Sequence, residues 1–122
     1  MNRIELHLHT KQSDDVSVIE PAEAIRYADM QSHKAVAFTN LNNVQDFPVI
    51  AEACEKYADS DIKVIYGAEV RYMSEDGKSQ YGITILVRNQ AGVKELYRII
   101  SSMRSDGEFD NLVSLDVVKR NR

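Results

Sequence analysis

The chain is short of cysteine, of surplus positive charge and of long apolar runs, and each shortage closes off a class of protein. A single cysteine, Cys54, cannot form an internal disulfide, so a disulfide-framed secreted domain is excluded and a reducing compartment is the simplest setting. Lysine and arginine number 15 against 19 acidic residues, a net charge of −4. Such a balance offers no broadly basic surface for direct nucleic-acid or membrane binding, although a larger nucleic-acid enzyme could carry its basic surface elsewhere. No apolar run approaches the roughly 18–20 residues of a membrane span. The N-terminus lacks a signal-peptide pattern, and the expectation is a soluble cytoplasmic protein. Repeats, low-complexity tracts and linkers are also missing, so the 122 residues are expected to form one domain.

What is present is an alternation of strand and helix patterns. Residues 3–9 alternate with period two, which sends Ile4, Leu6 and Leu8 one way and Glu5, His7 and His9 the other. A polar loop follows, and Pro21 opens a helix with Ala24, Ile25 and Ala28 as its apolar stripe. The run 35–39 is apolar and too short for a helix, so it is expected to be a buried strand. Asp46 is a candidate helix cap, and Ile50, Ala53, Cys54 and Tyr57 fall on one helical face. Strands are expected at 63–70 and 81–87, joined by turn chemistry at 74–77. Asn89 caps a helix carrying Val93, Leu96, Tyr97 and Ile100, and a short helix is expected near 115–120. The order β-α-β-α-β-β-α implies an α/β fold with largely parallel pairing. Four strands make either a thin sheet or an arc of a larger barrel.

Chemistry concentrates at strand ends. His7 and His9, at i and i+2, project to one face about 6.5–7 Å apart, close enough to reach one metal ion or two adjacent ones. Parallel α/β sheets and barrels place their sites at the carboxyl ends of strands. Exposed or merely hydrogen-bonded histidines are the alternative for such a pair. Glu69 ends the third strand and could ligate a metal, or simply be solvated. Asp14 and Asp15, in the loop after His9, could add an oxygen ligand or be ordinary turn residues. His33 and Cys54 read as packing residues, and Lys119, Arg120 and Arg122 as a solvated basic tail.

Taken together these features resemble a polymerase and histidinol phosphatase (PHP) domain, in particular that of bacterial DNA polymerase III alpha subunits of the PolC type. The stretches that carry the resemblance are 5–11 (ELHLHTK), 32–39 (SHKAVAFT), 44–48 (VQDFP), 62–69 (IKVIYGAE), 83–89 (ITILVRN) and 92–97 (GVKELY). It spans nearly the whole chain. The resemblance implies a distorted β/α barrel of which this chain holds a part, about four strands and three to four helices. It also implies a metal-supported phosphoesterase site in which His7, His9 and Glu69 match ligand positions and Asp14 or Asp15 approximates a loop aspartate.

The departures from that family set the functional expectation. Where the family usually has Thr-Asp-His, this chain has Thr39-Asn40-Leu41, and where a histidine often opens the fourth strand it has Gly82. Leucine cannot ligate, and asparagine lacks the balancing charge. The family's later cysteine and Asp-x-His ligands have no counterpart, and the exonuclease inserted in PolC proteins is absent between residues 74 and 80. Residues 1–122 are therefore expected to be a single truncated PHP-like domain, with no catalytic residues of its own and zinc or manganese held weakly or not at all. A structural or interaction role in or derived from a replicative polymerase is the leading expectation. The alternative is a metal-dependent phosphoesterase completed by a partner chain or further segment. No polymerase palm is present. An incomplete barrel leaves an unpaired strand edge and apolar surface, so self-association, or docking with the rest of a polymerase chain, is expected.

Overall fold

The computed structural model describes residues 3–15, 17–57, 60–103 and 112–120. Its elements are β1 (Ile4–Leu8), α1 (Pro21–Met30), β2 (Ala35–Phe38), α2 (Phe47–Lys56), β3 (Lys63–Met73), β4 (Gln80–Leu86), α3 (Gln90–Ser101) and α4 (Leu115–Arg120). They build one four-stranded sheet in the order β1-β2-β3-β4. β1 pairs parallel to β2 and β2 parallel to β3, as βαβ units require, whereas β3 and β4 form an antiparallel hairpin. The expected parallel pairing thus holds for the βαβ part and gives way where a short turn joins consecutive strands.

Local sequence explains most of these elements. Pro21 occupies the first turn of α1, where its missing N–H costs nothing, and a capping box joins Glu20 and Glu23. Ala24, Ile25 and Ala28 are buried, as their spacing requires. Asn89 caps α3 by accepting a hydrogen bond from the Gly92 amide at 3.0 Å. Asp46 is the N-cap residue of α2, as expected, but its side chain makes no capping hydrogen bond. Its carboxylate is turned inward to the Thr10 hydroxyl and the Asn40 amide, because a buried polar cluster competes successfully with the helix end.

One core joins α1, α2 and α3 to a single face of the sheet. Ile25, Val36, Phe38, Ile50, Ala68 and Leu96 form its buried centre. Cys54 and Tyr66 pack at its border, where burial and the neighbouring thiol push the Tyr66 hydroxyl up to about 12. A second, smaller cluster gathers Val70, Ile99 and Val113 under α4. His33 is half-buried; Lys119 and Arg120 are exposed at the end of α4, and Arg122 lies outside the described residues.

The strict alternation expected for β1 is not observed. The register with β2 shifts between Glu5 and Leu8: Glu5 stands opposite Val36 and Leu8 opposite Phe38, so one strand spends one more residue than the other. This bulge sends Leu8 into the core while Ile4 and Leu6 remain 54% and 46% exposed. Bulges recur beside functional sites because they re-aim side chains, and this one immediately precedes His9.

Gly67 marks the point where β3 exchanges one partner for another. Residues 63–66 pair with β2, and 67–73 pair with β4. A Cβ at Gly67 would lie 2.3 Å from the Ile85 carbonyl oxygen, which only a backbone displacement could relieve. Gly67→Ala is expected to destabilise the fold by roughly 1–3 kcal/mol through overpacking, measurable as a lowered urea midpoint.

Candidate metal centre

The carboxyl end of β1 supplies His7 and His9, and the third donor, Glu69, lies not at the end of its strand as expected but inside β3, which runs on to Met73. His7 Nε2 lies 2.7 Å, and His9 Nε2 2.9 Å, from the same Glu69 oxygen, Oε2. The two imidazoles meet edge to face with centroids 4.9 Å apart. One ligand atom from each residue falls within 4.8 Å of the others, and this is the single such group of three or more metal-binding side chains among the described residues. His9 and Glu69 are each 18% exposed in their side chains, while His7 is 52% exposed and faces solvent.

The two loop aspartates separate. Asp15 Oδ2 lies 2.5 Å from His9 Nδ1, the nitrogen turned away from Glu69. Desolvation draws the Asp15 carboxyl up, but hydrogen bonds from Ser13 and His9 outweigh it and leave its pKa below the ordinary value. Asp14 contributes its backbone amide to the Leu41 carbonyl at 3.3 Å, and its exposed side chain stands outside the cluster. Asp15 is therefore placed to orient His9, in the way that outer carboxylates fix the tautomer of metal-bound histidines.

The donor set fits a divalent cation. Both ring nitrogens of His9 face carboxylate oxygens, and an ionised carboxylate only accepts. A neutral ring has one hydrogen for two such acceptors. A second ring proton answers both acceptors; a cation between Nε2 and Glu69 does so as well and leaves Nδ1–H donating to Asp15. Two imidazoles and one carboxylate are the nitrogen and oxygen mixture that zinc and manganese accept.

Beneath the donors lies a buried polar cluster that sequence reasoning did not assemble. The Asn40 side chain accepts from the Thr10 amide at 2.7 Å and donates to the Thr10 hydroxyl at 2.8 Å and Asp46 Oδ2 at 3.1 Å. Ser13 Oγ accepts from the Leu41 amide at 2.8 Å. Thr10, Asn40 and Asp46 are 0%, 4% and 4% exposed. Together they tie the loop after β1 to the loop after β2 and fix the direction in which His9 leaves its strand. The only signal in the sequence was a small polar residue after each of two strands.

Two residues at which the sequence departs from the resemblance, Leu41 and Gly82, both lie beside Glu69. Leu41 is 4% exposed and bridges to Glu69, with Glu69 N donating to the Asn40 carbonyl at 3.0 Å and Asn42 N to the Glu69 carbonyl at 2.8 Å. Gly82 faces the carboxylate itself: a Cβ there would stand 3.2 Å from Glu69 Oε1.

Comparison with known proteins accords with this geometry. The chain is 33% identical over 109 residues to the DNA polymerase III PolC-type of Ureaplasma parvum, an alignment covering 89% of this chain and 7% of that protein. With that of Staphylococcus haemolyticus it shares 30% over 120 residues, 96% of this chain and 8% of the relative. The corresponding protein of Caldanaerobacter subterraneus subsp. tengcongensis is 47% identical over 75 residues, 62% of the chain and 5% of the relative. The chain thus spans less than a tenth of the length of these relatives. Two solved structures share its fold at a TM-score of 0.64. One, from Bifidobacterium adolescentis, is provisionally described as a metal-dependent phosphoesterase and is 15% identical, with 85% of this chain and 34% of that one covered. The other is an amidohydrolase from Chromobacterium violaceum with bound sulfate and no metal, 23% identical, with 84% and 34% covered. The family model described as the PHP domain matches residues 5–121, and the chain belongs to that family.

Proposed function

We propose that this chain is a PHP module of the PolC polymerase lineage that holds a divalent cation loosely and acts as a structural or docking part rather than as a hydrolase. The observation that carries this reading is Leu41. A buried leucine that cannot ligate stands beside Glu69 where the family places a histidine, and a glycine faces the same carboxylate from β4. His7, His9 and Glu69 remain as donors, about the minimum for a catalytic zinc and fewer than a binuclear site requires. When bound, zinc or manganese would polarise a water or a phosphate oxygen. Asp15 would orient His9 beneath it. We read residues 1–122 as one partial barrel, with the six-residue link from Ser74 to Ser79 in place of an inserted exonuclease. Its partners are then the remainder of a polymerase-type chain or a second copy of itself.

The preassembled triad favours a second reading, a metal-dependent phosphoesterase whose coordination shell is completed by residues from another segment or chain. Metal analysis by mass spectrometry, combined with a phosphate-ester hydrolysis assay in zinc and in manganese, separates the two. The expected result is substoichiometric metal that dialysis removes, absent from His7→Ala/His9→Ala, with no turnover above background. Turnover abolished by His9→Ala would establish the phosphoesterase instead. Absence of metal after soaking would remove the cation from the proposal.

A further inference from the structure

β1 is an edge strand, and among the described residues its outer side has no partner. Natural sheets guard such edges with lysine, proline or an inward charge. This one is guarded by its five-residue length and its bulge, yet it presents Ile4 and Leu6, 54% and 46% exposed. The Arg3 carbonyl accepts from the Lys34 amide at 2.8 Å. Because the N–H and C=O groups of successive strand residues alternate in direction, Arg3 and Glu5 turn their backbone toward β2 and Ile4 turns its own outward. On the helix side of the edge runs a groove lined by Leu8, Ile19, Ala24, Tyr27, Ala28 and Val36. Tyr27 is 62% exposed and Ile19 38%.

We infer that two copies of this chain join antiparallel along β1, with Ile4 opposite Ile4 of the second copy. Only residues with outward backbone groups can form the hydrogen-bonded pairs of such a junction, which restricts the two-fold axis to a few registers. Centred on Ile4, the pairing sets Arg3 against Glu5 of the other copy twice over, with opposite charges directly across the strands. Centred on Glu5, it would oppose two glutamates, a destabilising pair. Arg3 and Glu5 already meet within one chain at 2.6 Å. The dimer extends each ion pair into a four-charge cluster. Its sheet becomes one continuous eight-stranded layer, and the two α1 helices face each other across the junction so that Tyr27 and Ile19 are covered. The isologous contact closes on itself and leaves no further β1 edge exposed.

Sedimentation equilibrium over a dilution series into the submillimolar range tests the inference. Wild type is expected to reach twice the 13.9 kDa chain mass. Ile4→Pro, which removes an outward N–H without touching the ladder to β2, is expected to stay monomeric with an unchanged far-ultraviolet spectrum. Arg3→Glu and Glu5→Arg are each expected to be monomeric alone and to form a heterodimer when mixed. That rescue also answers any loss of folding in a single variant. A wild-type protein that stays monomeric throughout would overturn the proposal. So would an Arg3→Glu variant that dimerises as well as wild type, since another register or surface would then be in use. Neither outcome depends on metal, so the cation-binding proposal stands or falls separately.

Discussion

Leu41→His is expected to tighten zinc binding by at least tenfold, measured by competition against a chromogenic chelator. Leu41 bridges to Glu69 across neighbouring backbone hydrogen bonds, so an imidazole at this position starts from beside the carboxylate that both existing histidines already touch. Outer-sphere partners alone shift metal affinity by roughly 10–100-fold, and a direct ligand should contribute no less. The cost is burial, because Leu41 is 4% exposed and a histidine there must find a partner. The double variant with Gly82→His is expected to bind more tightly still. Its new Cβ would meet Glu69 Oε1 at 3.2 Å, a contact with the movable end of a side chain rather than with backbone. If Leu41→His folds and its zinc affinity is unchanged, loss of a ligand at this position does not account for weak binding.

Phe38→Ala is expected to cost about 3–5 kcal/mol, against a total stability on the order of 5–15 kcal/mol for a domain of this size. Phe38 is 1% exposed at the carboxyl end of the central β2 strand and belongs to the core that unites all three long helices. Chemical denaturation should show a markedly lower midpoint. The same substitution removes support from below Thr39 and Asn40, so metal affinity should fall along with stability. A loss below about 1 kcal/mol would mean that the helices can collapse onto the vacated space.

What could be read from the residues was whatever local chemistry decides. The α1 stripe, the Asn89 cap, the turn at 74–77 and the meeting of His7, His9 and Glu69 were legible because spacing, capping and a family pattern each point one way. What could not be read depended on partners distant in sequence. The bulge in β1 arises from how a five-residue strand registers against β2, and nothing in residues 4–8 announces it. Asp46 has the right type and place for a cap, yet two buried groups from other loops claim its carboxylate. The choice between Asp14 and Asp15 rested on loop geometry, which two adjacent aspartates do not reveal. The antiparallel turn of β4 follows from a short connection, whose length was visible but whose effect on the sheet was not drawn from it.

The placement of Glu69 has a mechanical consequence. Its carboxylate reaches past β2 and grips both histidines at the end of β1, so it acts as a cross-brace on a strand that would otherwise fray first. Edge strands of five residues open at free energies well below global unfolding, and amide exchange in β1 should therefore report on the state of a side chain two strands away. Weakening that brace with Glu69→Gln would loosen the sheet margin while leaving β2 and its helices closed.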